Sequence, residues 1–140
     1  MRVRTRAREL ALQFLFQMDF HDEGYREELD QFLGEVLDGK SGADEAKAYA
    51  ARVVDGVRAN RREIDDLLRD AARNWELERM AAMDRNALRI GVYELLFAED
   101  IPMRVAINEA IELAKRYSTE ASGAFVNGIL DRIRRDRGLS

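Results

Sequence analysis

From Ala7 onward apolar residues recur at helical spacing: Ala7, Leu10, Ala11, Phe14, Leu15 and Met18 form one stripe, and Leu12 and Phe16 fall on the opposite side. The pattern predicts a first helix with two apolar faces. Tyr25, Leu29, Phe32, Leu33 and Val36 make a second stripe, which ends before Gly39 and the loop-like run Lys40, Ser41, Gly42. A third helix is expected from about Asp44, with Ala46, Tyr49, Ala50, Val53, Val54 and Val57 inward. Asn60 is placed to cap a fourth, whose stripe is Ile64, Leu67, Leu68, Ala71 and Trp75. The segment from Asp84 to Phe97 is apolar almost all round, with Leu88, Val92, Leu95 and Leu96 on one side and Ile90, Tyr93 and Phe97 on the other, as a central helix requires. Ile101 and Pro102 break the chain before a periodic helix carrying Ala106, Ile107, Ala110, Ile111, Leu113, Ala114 and Tyr117. Ser118 to Gly123 reads as a loop ahead of a last helix with Val126, Ile129, Leu130 and Ile133 inward and Phe125 off that stripe. The expected fold is all-α: a single-domain compact bundle of about seven helices over residues 1–140, with 1–8 as a basic amino-terminal arm.

Composition removes several function classes. A chain of 140 residues can bury roughly 68 to 70% of its unfolded surface, so its core needs no metal or disulfide. The absence of cysteine excludes disulfides, thiolate metal sites and cysteine nucleophiles, and fits a reducing cytoplasm. No apolar run approaches the length of a membrane span, so a soluble protein is expected. His21, the sole imidazole, lies between Asp19 and Asp22 and reads as a solvated surface histidine rather than a base or ligand. Asp65 and Asp66 are neighbours on a helix, so their side chains diverge and read as a solvated face. Gly91, Gly123 and Gly128 are isolated and suit close helix packing better than a phosphate loop. Neither a catalytic group, a metal nor a cofactor is expected.

Charge is sorted along the chain. The net charge is -4, yet Arg2, Arg4, Arg6 and Arg8 all precede the first acidic residue, Glu9. Guanidinium forks match phosphate oxygens, and counterion release adds a salt-sensitive drive, so nucleic acid is the first partner to consider. A disordered tail or a targeting sequence is the alternative, but Glu9, Gln13 and Gln17 keep one helical face polar where a secretory signal needs an unbroken apolar segment. The later arginines Arg132, Arg134, Arg135 and Arg137 are offset by Asp131 and Asp136 and suit a helix carboxyl end.

Three blocks carry a family resemblance: MRVRTRARELALQFLFQMDF at the start, NWELERMAAMDRNALRIGVYELLF from residue 74, and VAINEAIELAKRYS followed by FVNGILD. Together they resemble the NusB transcription antitermination family over nearly the whole chain, least between about residues 20 and 45. The resemblance implies a small helical protein that binds single-stranded boxA RNA together with the ribosomal protein NusE, reaches other Nus factors and RNA polymerase through that assembly, and has no catalytic step. It implies RNA contacts by the arginine-rich start, where Arg4, Arg6 and Arg8 match and Thr5 replaces a common arginine, and by Phe125 at the head of FVNG. Unpaired bases stack on aromatic rings, while the ordinary reading of Phe125 is a packing residue under the last loop. Ala121 stands where some members carry an acidic residue. NusE contact is implied for Phe16, with Leu12 on the same face, and for Asp84. Leu12 and Phe16 could equally pack on a neighbouring helix, and Asp84 could cap the helix through Leu88. Two other readings stay open: a helical interaction module or homodimer without specific RNA recognition, and an accessory domain similar to the amino-terminal domain of ribosomal RNA cytosine methyltransferases. The latter continue into a Rossmann-like region, for which a chain ending at Ser140 is expected to leave no room.

Overall fold

The computed structural model describes residues 2–18, 23–73 and 76–139. His21, Asp19, Asp22 and Trp75 lie outside them. The described residues form seven α-helices and no strand: α1 (Val3–Met18), α2 (Tyr25–Val36), α3 (Ala43–Ala59), α4 (Arg61–Ala72), α5 (Ala82–Phe97), α6 (Met103–Tyr117) and α7 (Glu120–Asp136). A 3-10 turn at Leu77–Arg79, which periodicity does not reveal, precedes α5. No helix is long and apolar enough to cross a membrane. Two compact units make up the chain, Met1–Asp55 and Gly56–Ser140.

In the first unit α1 packs on α2. Every residue of the main α1 stripe is buried, and the Phe14 and Phe32 rings meet at 6.0 Å with a 34° tilt. The Tyr25 hydroxyl donates to Asp55 Oδ1 at 2.8 Å, and Arg26 donates to the other oxygen, tying the start of α2 to α3. Gly39 and Gly42 turn the chain between these helices with φ of 70° and 73°. Gly42 also has to lack a side chain, because a Cβ there would lie 2.9 Å from Cγ2 of Val3. This close approach seats the first turn of α1 against the turn into α3. The predicted arm is therefore largely helix: Arg4, Arg6 and Arg8 belong to the first turns of α1.

The second unit is built around α5, which packs on α4, α6 and α7. Leu88, Ile90, Val92 and Tyr93 are buried, as the central-helix reading expects, whereas Leu95, Leu96 and Phe97 in the last turn are half-buried. Arg85 donates to the carbonyls of Leu77 and Met80 at 3.3 and 3.1 Å and so fixes the 3-10 turn. Arg69 on α4 donates to Glu78 in that turn at 2.7 Å, a bond that holds the Glu78 carboxyl below its ordinary value. Asn60 sits at the amino end of α4 without making the expected capping bond; its Nδ2 instead donates back to the Gly56 carbonyl at 2.8 Å. Asp65 departs from the solvated reading, being 7% exposed and paired with buried Arg89. The segment read as a loop from Ser118 is helical from Glu120, with Thr119 as its cap.

Candidate nucleic-acid interface

Helical spacing divides the three arginines of α1, Arg4, Arg6 and Arg8, rather than pooling them. Residues four apart share a face, and residues two apart lie on nearly opposite sides. Arg4 and Arg8 accordingly project together toward Tyr49 of α3, their guanidinium carbons 4.5 and 5.2 Å from its ring centroid. Arg8 also donates to the Tyr49 hydroxyl at 3.4 Å. Arg6, two residues from each, takes the other side, where its guanidinium pairs at 3.3 Å with Glu9, which is itself buried. Arg2 and Arg4 are exposed and the Arg6 side chain is 40% exposed, whereas Arg8 is 3% exposed. Three of the four can thus meet a phosphate directly, and Arg8 acts from beneath, as charge and as packing. The first turn of α1 holds no acidic residue, so the positive end of the helix dipole adds to the same end.

Phe125 lies in the second turn of α7, half-buried. Around it α7 exposes Ala121, Ala124, Asn127 and Gly128, and nothing stands within 4 Å of where a Gly128 side chain would begin. Its neighbours on that stretch of the helix are small, and Asn127 offers both a donor and an acceptor. Thr119 holds the start of this helix: its Oγ1 accepts from the Ser122 backbone at 3.2 Å, and the Thr119 N–H donates to the Ser122 hydroxyl at 3.3 Å.

The residues expected to meet a protein partner separate. Phe16 is 36% exposed near the end of α1, but Leu12 is fully buried, so only one of that apolar pair reaches the surface. The middle of α1 is enclosed on all sides, as buried Arg8 and Glu9 also show, and a second apolar face there packs inward. Asp84 lies in the first turn of α5, behind Ala81 at the cap position, and makes no capping bond. Its Oδ1 is buried and has no hydrogen-bond partner among the described residues. Such an oxygen is costly unless a donor reaches it, and the helix amino terminus offsets only part of that cost. The carboxy-terminal arginines are engaged as expected: Arg134 and Arg135 pair with Asp131 at 2.8 and 3.1 Å, and Arg132 with Asp136 at 3.6 Å. No group of three or more His, Cys, Asp or Glu able to hold a metal ion occurs among the described residues.

Comparison with known proteins gives a consistent result. The sequence model of the NusB family matches residues 5–135. The transcription antitermination protein NusB of Anaeromyxobacter sp. (strain Fw109-5) is 51% identical over 130 residues, spanning 93% of this chain and 88% of that protein. Its counterpart from Desulfosudis oleivorans is 41% identical over 137 residues, with 98% and 88% covered. Among solved structures, NusB of T. maritima superposes with a TM-score of 0.82 at 46% identity, covering 95% of this chain and 91% of that one. A crystal structure of antitermination factors NusB and NusE in complex with dsRNA superposes with a TM-score of 0.83 at 30% identity, covering 97% and 98%.

Proposed function

Because this chain belongs to the NusB family, we propose that it is a transcription antitermination factor that binds boxA RNA of nascent transcripts together with NusE and helps assemble the antitermination complex on RNA polymerase. It works by recruitment, with residues 1–140 as one RNA-binding module and the cytoplasm as its place of action. The observation that carries the RNA reading is the amino end of α1, where Arg2, Arg4 and Arg6 reach solvent at a helix terminus free of acidic residues. Arg8 supports them from below, through Tyr49. Phe125 supplies a stacking platform, and this favours unpaired RNA, since bases inside a duplex present no open face. The solved relative holds dsRNA, so strand preference is a point to measure. Phe16, exposed, and Asp84, with a buried oxygen that has no donor among the described residues, are the residues assigned to NusE.

The test is a filter-binding titration of a short boxA-type RNA at several salt concentrations. Three phosphate contacts at about -0.7 each give a slope near -2 in log affinity against log salt, or about a twentyfold loss over a fourfold rise in salt. Replacing Arg2 and Arg4 by Ala and Arg6 by Gln, which keeps a donor for buried Glu9, is expected to remove most of that slope and leave thermal unfolding nearly unchanged. Unaltered affinity and slope in the triple variant would rule out this end of α1 as the RNA contact.

A further inference from the structure

The turn between α2 and α3 brings a cation from outside the arginine-rich start beside the first turn of α1. Lys40 and Ser41 are exposed there, between Gly39 and Gly42, whose left-handed φ values of 70° and 73° reverse the chain. Two backbone bonds close the turn: the Lys40 N–H donates to the Leu37 carbonyl at 3.0 Å, and the Ala43 N–H to the Lys40 carbonyl at 3.3 Å. Val3 rests against Gly42, so the turn is seated on the same end of α1 that carries Arg6. Between them lies a cleft of about 160 Å³. Val3, Val36, Leu37 and Ala46 supply its apolar walls, and Arg6, Lys40 and Ser41 its polar part. Asp38, Asp44 and Glu45 are exposed nearby in sequence, but among the described residues no carboxylate lines the cleft. Lys40 makes no ion pair among the described residues, and Arg6, bonded to Glu9 through Nη1, has further donors on its fork.

Size and chemistry choose the occupant. Pockets for whole small ligands run from roughly 300 to 1,000 Å³, so this cleft is too small to hold a free cofactor by itself. One flat base of a chain held elsewhere suits it better. In RNA each base is joined to a phosphate, which Lys40 and Arg6 match, and to a sugar 2′-hydroxyl, which the Ser41 hydroxyl can bond. We propose that this cleft is a nucleotide subsite of the RNA-binding face: one unpaired base lies against Val3 and Val36, and Lys40 binds the adjoining phosphate. This rests on the RNA reading above and deepens it, by carrying the contact from α1 onto the turn between α2 and α3. The turn is already fixed by its backbone bonds, so less ordering entropy is lost on binding.

The experiment repeats the RNA titration on Lys40→Gln, Lys40→Arg and Val36→Phe, with an abasic nucleotide moved in turn through every position of the RNA. Lys40→Gln is expected to weaken binding severalfold and to lower the salt slope by about 0.7, and Lys40→Arg to keep both. Lys40 is exposed, so both variants should melt as the parent does. Val36→Phe, which fills the cleft from its α2 wall, is expected to weaken binding and to erase the penalty for an abasic nucleotide at one position, a penalty that the parent shows and Phe125→Leu retains. Parent-like affinity and slope in Lys40→Gln, with the Arg2, Arg4 and Arg6 triple variant still defective, would overturn this proposal alone. So would an unchanged abasic profile in folded Val36→Phe, because Lys40 would then be a phosphate contact without a base-holding cleft. Weaker binding of NusE by Lys40→Gln in the absence of RNA would give the cleft to a protein partner instead. A triple variant that binds like the parent would overturn the RNA reading itself, and this inference with it.

Discussion

Arg89 lies in the middle of a helix that is apolar on nearly every side, and only 4% of its surface is exposed. Its Nε and Nη2 donate to the two oxygens of Asp65 at 2.9 and 3.2 Å, its Nη1 donates to Asn86 at 2.9 Å, and Arg61 approaches Asp65 from its own helix at 3.6 Å. A forked pair of this kind fixes α4 against α5 in one register, because the planar guanidinium accepts few alternative geometries. Removing one partner leaves a charge buried without compensation. Asp65→Ala is therefore expected to destabilise the protein by about 3 to 5 kcal/mol in urea unfolding, and adding Arg89→Met to recover most of the loss. A single variant costing less than about 1 kcal/mol would show that the pair does not hold the helices. Sequence reading places Asp65 with Asp66 on a solvated face, since adjacency alone does not say which carboxylate turns inward. The missed signal is Arg89 itself, a permanent charge in a buried helix that requires a carboxylate somewhere. Arg8 is the converse case: it reads as one of four equal cations, and its burial depends on Tyr49, 41 residues away.

At the scale of elements, periodicity locates the helices well and their ends less well. The stripes of α1 and α3 are buried as read, because amphipathic spacing directly encodes which face meets the core. The start of α7 is misplaced because Ser and Gly from Ser118 to Gly123 resemble a loop, and because the residue completing the capping box is Ser122 rather than Glu or Gln. Gly123 is inside that helix for a packing reason: a Cβ would stand 2.7 Å from Cγ of Lys115. Gly91 is enclosed by two helices, with Leu130 Cδ1 and the Ala110 Cβ at 2.8 and 3.0 Å from where its side chain would begin. Gly128 has no such neighbour, so the packing explanation fits two of these three glycines. The contrast is measurable by thermal or urea unfolding. Gly91→Ala is expected to cost about 1 to 3 kcal/mol through overpacking between α5, α6 and α7. Gly128→Ala, at an exposed helix position, is expected to stabilise by about 0.5 to 1 kcal/mol. Equal effects would mean that the close approach at Gly91 relaxes freely.

For the molecule as a whole, the net charge of -4 and the basic start of α1 act together on recognition. Overall negative charge disfavours indiscriminate contact with nucleic acid, while a local basic cluster would direct RNA to the proposed site. Arg4 and Phe16 stand 12 residues apart on one helix, about 18 Å along its axis, so RNA and a protein partner can use opposite ends of α1 at once. Family and class of function were legible in three sequence blocks because they combine a basic start, a buried helix and an aromatic-led turn of α7 in fixed order. The burial of Leu12 and the division of the arginines into two faces were not, since both depend on what surrounds α1. Joint recognition is the central claim, and an anisotropy titration of labelled single-stranded boxA RNA, with and without NusE, tests it most directly. The account predicts weak binding by the protein alone and a gain of about tenfold or more, some 1.4 kcal/mol, when NusE is present, lost when the boxA sequence is scrambled. Affinity that is indifferent to both NusE and sequence would contradict it.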